Sequence, residues 1–230
     1  MRKRLSPRLA AVGRNVLPGQ AMADVGTDHA QLPIVLLRDG IVPKAVALDV
    51  AEGPFQNAKK AARGLEDQLS VRLSDGLEGL VPNEVATICI CGMGGNTVAA
   101  ILERGRAVWK TAKRLVLQPQ GMQSSVRRLL VGEDWGCVQA EIAEHRGRLF
   151  TIEVWEPGRV DRNWTGLDFR WGQRIRDEPP PLYIDWLQNE LGDVQLALER
   201  MRSSGALGSA EAAEAREEEA LILAELKRIG

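Results

Sequence analysis

From residue 20 to residue 155, short apolar runs alternate with stretches of helical pattern. The runs are Ala21–Val25, Ala45–Val50, Leu69–Leu73, Ala86–Cys91 and Leu115–Gln118. Uninterrupted runs this short suit strands buried on both faces of a parallel sheet. Pro33, Pro54 and the Asn96-Thr97 pair mark helix starts between them, since proline is tolerated in a first turn. Five strand–helix units in succession predict a doubly wound α/β sheet. The rhythm then breaks. Val138–Ala143 and Leu149–Trp155 are separated by Glu144-His145-Arg146-Gly147-Arg148, too short for a crossover helix. These two runs are therefore expected to pair antiparallel and to turn near Gly147.

Residues 156–181 read as irregular, with Pro157, Gly158 and the run Pro179-Pro180-Pro181. Two helices are expected after them. Leu187, Leu191, Val194, Leu198 and Met201 step by 4, 3, 4 and 3, and Ile222, Leu226 and Ile229 by 4 and 3. Both are heptad seams, and the Gly/Ser-rich loop at 203–208 predicts that they fold back as an antiparallel coiled-coil hairpin. The expected division is 1–157 for the sheet domain and 158–230 for a linker with the helical hairpin. Five parallel strands ending in an antiparallel hairpin point to the methyltransferase version of the Rossmann-like sheet rather than the nucleotide-dehydrogenase version.

Composition narrows the class. The 230 residues are 44% hydrophobic and 27% charged, ordinary for a globular chain. No apolar run is long enough to span a membrane, and the basic start, Arg2-Lys3-Arg4, is followed by no signal-peptide core. Three cysteines make no disulfide framework, and two histidines make a His-rich metal site improbable. A cytoplasmic, metal-free protein is the expectation. The formal net charge of −1 hides an asymmetry: residues 177–230 carry 5 Lys/Arg against 12 Asp/Glu, the rest 25 against 19. A basic body suits a polyanion such as a nucleic acid, while charges on exposed helices also serve solubility alone.

Candidate chemistry lies at the strand ends. The first run closes Asp24-Val25-Gly26-Thr27-Asp28-His29, the second Asp49-Val50 and the third Ser74-Asp75-Gly76. There is no GxGxxG cradle for a diphosphate, because no second glycine follows Gly26 before Gly40. Three carboxylates at three successive strand ends suit S-adenosylmethionine, which carries a sulfonium and an ammonium but no phosphate. Asp49 is placed to accept from both ribose hydroxyls, and Asp75 from the adenine amine. The fourth run ends Gly92-Met93-Gly94-Gly95, where backbone can approach a ligand closely.

These strings resemble one family. Asp24–Pro33, Glu52–Lys59, Asp75–Leu77, Gly92–Gly95 and Leu117–Pro119 are similar to the bacterial tRNA (adenine-N1)-methyltransferases known as the TrmK family, over nearly the whole chain. The sequence departs from that family at Gln120, where Asn is usual, and at Gln173, where Pro is usual. The resemblance implies transfer of a methyl group from S-adenosylmethionine to N1 of adenine 22 of certain tRNAs. The chemistry agrees, because N1 is unprotonated at neutral pH and needs positioning more than a base. The chain shows neither the (N/D)PP(Y/F) string expected for amine methylation nor a cysteine after proline for carbon methylation.

The cofactor residues expected are Asp24, Gly26, Thr27, Asp28, His29, Asp49, Val50, Asp75, Gly76, Gly92, Met93 and Gly94. Asp28 is the candidate to stabilise the cationic product, or else a helix cap; His29 is a weaker catalytic candidate. Arg4, Arg8, Gln118, Arg127, Arg170 and Arg174 are candidate tRNA contacts, with Arg2, Lys3, Lys113, Arg114 and Arg128 as further phosphate partners. Seven of the 10 aromatic residues lie between 150 and 186, where they either stack on RNA bases or pack the hairpin. The hairpin seam, filled internally, predicts a monomer; a dimer through it is the alternative. Two other readings stay open, a small-molecule methyltransferase with a dimerising hairpin and a non-catalytic RNA-binding adaptor.

Overall fold

The computed structural model describes residues 4–27, 29–160 and 163–230. In chain order it comprises α1 (Pro7–Arg14), β1 (Met22–Val25), α2 (Gln31–Arg38), β2 (Ala45–Asp49), α3 (Glu52–Ala61), β3 (Leu69–Leu73), β4 (Thr87–Gly94) and α4 (Gly95–Arg104). There follow α5 (Arg106–Trp109), β5 (Arg114–Gln120), α6 (Gln123–Gly132), β6 (Trp135–His145), β7 (Arg148–Pro157), α7 (Gly166–Trp171), α8 (Gln173–Asp177), α9 (Tyr183–Ser203) and α10 (Ala210–Ile229). One seven-stranded sheet has the order β3-β2-β1-β4-β5-β7-β6. β1 to β5 are parallel, and β7 runs antiparallel to both β5 and β6. This is the expected Rossmann-like sheet with its closing hairpin, whose turn is made by Arg146 and Gly147 at φ 53° and 72°. The exception is that turns rather than a helix join β3 to β4, so one of the five expected strand–helix units lacks its helix.

Period-2 alternation explains why both sheet faces are covered. Ile88, Ile90, Leu115 and Leu117 face one core, with Leu102, Trp109, Leu130, Trp135 and Trp155. Cys89, Val116 and Ile152 face the other, with Val12, Leu32, Leu36 and Leu37. Each such side chain contributes roughly 1.5–3 kcal/mol by leaving water. The switch in strand order falls between β1 and β4, where their connections leave in opposite directions and open a crevice at the carboxyl ends.

Three helices escaped the apolar pattern. α1 starts at Pro7 behind Ser6, whose hydroxyl accepts from the Leu9 amide at 3.3 Å. α7 is closed by a capping box between Thr165 and Asp168, and α8 follows it directly, so 156–181 is less irregular than its prolines suggested. The chain divides into two compact units, 1–179 and 180–230, which leaves α7 and α8 in the first unit, beyond the expected boundary at 157/158. In the second unit α9 and α10 form the antiparallel hairpin: the Tyr183 hydroxyl donates to Glu225 at 3.0 Å and the Gln195 amide to Glu219 at 2.9 Å. Gly205, at φ 76°, begins the turn between them, and Ser209 caps α10.

Candidate active site

The carboxyl edge of β1 turns at a glycine whose left-handed backbone strains any other residue. Gly26 has φ 72°, and a Cβ there would lie 2.0 Å from Cε of Met93. The backbone is also left-handed at His29 and Ala30, φ 56° and 49°, conformations that cost a non-glycine residue energy and gather at functional turns. On one side of Gly26 lies a cleft of about 600 Å³ lined by Val25, Asp49, Val50, Ser74, Asp75, Gly76, Met93, Asn96, Thr97, Ala100, Ile101 and Arg104. Gly76 (φ 58°) keeps its wall thin, since a Cβ would meet Ile101 at 3.0 Å. Asp49 accepts from the Ala51 amide at 2.9 Å through one oxygen, and Asp75 is bridged by Arg104 at 2.8 Å on the exposed rim.

On the other side of Gly26 is a chamber of about 420 Å³ with a different character. The segment Arg4–Leu9 forms much of its wall, together with Asp24, Gln31, Leu32, Cys91, His145 and Arg146. Arg8 donates to Oε1 of Gln118 at 2.6 Å and rests over the Phe150 ring, 5.6 Å from its centroid. Gln118 is fully buried, so it fixes the guanidinium from inside the sheet. Gly92 turns beside Arg8 at φ 81°, where a Cβ would make an ordinary contact with Nη1 at 3.7 Å. Asp24 is 7% exposed and accepts from the Thr27 hydroxyl at 2.6 Å. Burial pushes its pKa up to about 6, against the Thr27 hydrogen bond and the attraction of Arg8. Burial also raises the Cys89 and Cys91 thiols, so neither is a nucleophile at neutral pH.

Residues 5–152 match the family described as Methyltransferase domain. The chain is 34% identical over 174 residues to the tRNA (adenine(22)-N(1))-methyltransferase of Bacillus subtilis, covering 75% of this chain and 73% of that one. It belongs to the tRNA (adenine(22)-N(1))-methyltransferase family. A solved structure of a Streptococcus pneumoniae protein described as a putative tRNA (m1A22) methyltransferase, in complex with S-adenosyl-L-methionine, superposes with a TM-score of 0.85 at 32% identity. The match covers 97% of this chain and 100% of that one. A Streptococcus agalactiae protein of the NADB-Rossmann superfamily gives 0.87 at 32% identity over 98% and 99%.

For a member of the tRNA (adenine(22)-N(1))-methyltransferase family, the expected site residues divide sharply. Gly26, Asp49, Val50, Asp75, Gly76 and Met93 line the cleft, and Arg4, Arg8 and Asp24 the chamber. Thr27, Gln118 and Gly92 touch Asp24 or lie beside Arg8. Gly94 caps α4, and Gly95 after it must be glycine, since a Cβ would sit 2.2 Å from the Met122 carbonyl. His29 lines neither space but a separate crevice of about 90 Å³ with Arg4, Leu5 and Arg38. Asp28, Arg2 and Lys3 lie outside the described residues.

The expectation for Arg127 fails. Its side chain is 0% exposed and paired with buried Glu153 at 2.7 Å, so it reaches no phosphate. The periodicity of α6 carried the signal, because Arg127 stands three residues before Leu130 on the buried face. Arg170 and Arg174 border neither space: Arg170 lies against the Trp171 ring and Arg174 is bridged to Glu178 at 2.7 Å. Phe150, Trp155, Trp171, Tyr183 and Trp186 are buried, and Trp164 packs between Trp155 and Phe169. Most of the aromatic segment is thus packing. The residues that sequence reasoning missed are Asn96, Thr97 and Arg104 in the cleft and His145 and Arg146 on the hairpin turn.

Proposed function

We propose that this chain is an S-adenosyl-L-methionine-dependent tRNA methyltransferase that modifies N1 of adenine 22. The observation that carries the reading is the pairing of two unlike spaces across Gly26. The cleft offers carboxylates and apolar walls without a phosphate cradle, and the chamber offers arginines. The residues present fit the cofactor. Asp49 has one oxygen left by its backbone bond that would receive ribose hydroxyls, Asp75 would accept from the adenine amine, and Val50 and Ile101 would supply apolar walls for the ring. Asp24, charged above pH 6, receives the ammonium of the methionine end. The cofactor supplies a methyl group on a positively charged sulfur.

The chain's own contribution is placement. Adenine N1 has its lone pair in the ring plane, so attack needs alignment and a dry site rather than proton removal. Residues 1–157 carry that chemistry, and 158–230 form the linker and the appended helical part. An adenine in folded tRNA leaves its stack to enter such a site, and Arg4, Arg8 and Arg146 meet the phosphates that come with it. The chain acts as a monomer in the cytoplasm. Incubation with labelled S-adenosyl-L-methionine and total tRNA, followed by mapping of reverse-transcription stops, tests the reading. Label at N1 of adenine 22 is expected. Transfer confined to small molecules, or none, would overturn it. Affinity for tRNA is also expected to fall steeply between about 50 and 200 mM salt, as phosphate contacts require.

A further inference from the structure

Two opposite charges line the chamber beside Gly26, and each is hydrogen-bonded to a neutral group. Asp24 accepts from the Thr27 hydroxyl, and Arg8 donates to the Gln118 amide oxygen. Arg8 is held from two sides, by buried Gln118 and by the Phe150 ring. A guanidinium has five N–H donors, so most of its capacity is unspent by that single bond. Its charge acts on the Asp24 carboxylate across the same chamber. Gly26 belongs to both spaces, so a ligand lying over it from the cleft arrives at this carboxylate.

We propose that Arg8 is a counter-ion shared in sequence: it balances Asp24 in the free protein, and once a cationic amino group occupies Asp24 it becomes the seat of a phosphate of the acceptor RNA. The proposal rests on the functional reading above and adds an order to it. A phosphate approaching the free protein meets the Asp24 charge along with the arginines. With that carboxylate neutralised by the cofactor's ammonium, the same phosphate meets Arg8 together with Arg4 and Arg146. Cofactor and RNA then strengthen each other's binding by one common factor, because linkage is reciprocal.

Fluorescence anisotropy with labelled tRNA, the whole chain and saturating S-adenosylhomocysteine tests this. The demethylated product keeps the ammonium and permits no turnover. In the wild type it is expected to tighten tRNA binding by about fivefold or more, the lower end of ordinary coupling. Arg8→Gln should weaken tRNA binding, reduce that ratio to about one, and leave S-adenosylhomocysteine affinity within roughly threefold by calorimetry. Arg8→Lys, which keeps the charge, should restore a ratio above about threefold. A ratio of one in the wild type, or an undiminished ratio in Arg8→Gln, would overturn the proposal. So would a loss of S-adenosylhomocysteine affinity beyond about tenfold in Arg8→Gln, which would assign Arg8 to the cofactor's carboxylate instead. Failure of the wild type to bind S-adenosylhomocysteine at all would sink the functional reading, a separate result.

Discussion

The sheet buries charge at two places and treats it in opposite ways. Between α6 and β7, Arg127 and Glu153 are 0% and 2% exposed and face each other directly. Nε of Arg127 donates to Glu153 at 2.8 Å, Nη1 donates to the Phe169 carbonyl at 3.1 Å, and Trp155 donates to the other Glu153 oxygen at 3.3 Å. Gly172 makes the fit possible, because a Cβ there would lie 2.9 Å from Glu153. At the end of β1, Asp24 is nearly as deeply buried, yet its bonded neighbour is a hydroxyl and its pKa is raised. The first charge is paired directly inside the fold, whereas the second feels Arg8 only across the chamber and is left costly for a ligand to relieve. Burial alone therefore does not separate structural from functional charge; the partner does.

The comparison breaks most visibly at the paired site. Arg127→Met strands Glu153 in the core and should cost about 3–5 kcal/mol. Thermal denaturation should show it as a fall of about 10 °C or more in the Tm of the sheet unit. Adding Glu153→Leu should recover much of that loss, since both charges are then gone. A single variant within about 1 kcal/mol of wild type would mean that the pair is not what holds α7 to the sheet.

At the ligand site the sign reverses. Asp24 has an unfolded pKa near 3.8 and a folded one of about 6, so between those values the folded state holds a proton that the unfolded chain has released. Unfolding free energy then falls as pH rises through that window, and the penalty is complete above it, about 3 kcal/mol. Asp24→Asn should stabilise the ligand-free protein at pH 7.5 by up to that amount, with little effect at pH 4. The same variant should weaken S-adenosylhomocysteine about a hundredfold, because a buried charge partner is lost. Wild-type affinity for it should likewise drop as pH falls below 6. A variant both less stable and unchanged in affinity would place Asp24 among the structural charges.

The sheet was legible because strands buried on both faces leave continuous apolar runs, and glycine and proline punctuate them. The cleft was legible for a related reason: strand ends in an α/β sheet share one edge, so Asp49 and Asp75 meet in the cleft and Asp24 stands beside it at the chamber, whatever the helices do. The basic partners were harder. Arg127 and Arg128 are adjacent in sequence, but a helix turns about 100° between them. One goes into the core and the other rests over the Phe169 ring at 4.4 Å. The chamber draws its wall from Arg4, Leu5, Ser6, Arg8, Leu9, Asp24, Gly26, Gln31, Leu32, Cys91, His145 and Arg146, the first and last of them more than 100 residues apart. No local spacing encodes that meeting. Short helices such as α7, held by a capping box, carry too few residues for periodicity to register.

The helical hairpin supplies the mildest test of the same distinction. Glu225, beside the heptad seam, is 3% exposed, which by burial alone would resemble Asp24. Its neighbours decide otherwise: Arg228 donates to it at 2.6 and 3.0 Å, and Tyr183 at 3.0 Å from the opposite helix. It belongs with Glu153 as a charge satisfied within the fold. Tyr183→Phe removes one donor and leaves the guanidinium, so the expected cost is about 1 kcal/mol, the net worth of one hydrogen bond. Faster amide hydrogen exchange in α9 and α10 would report that loss, while S-adenosylhomocysteine affinity should stay as it is. A clear change in that affinity would show that the hairpin's buried acid answers to the ligand as Asp24 does, and the partner rule would fail.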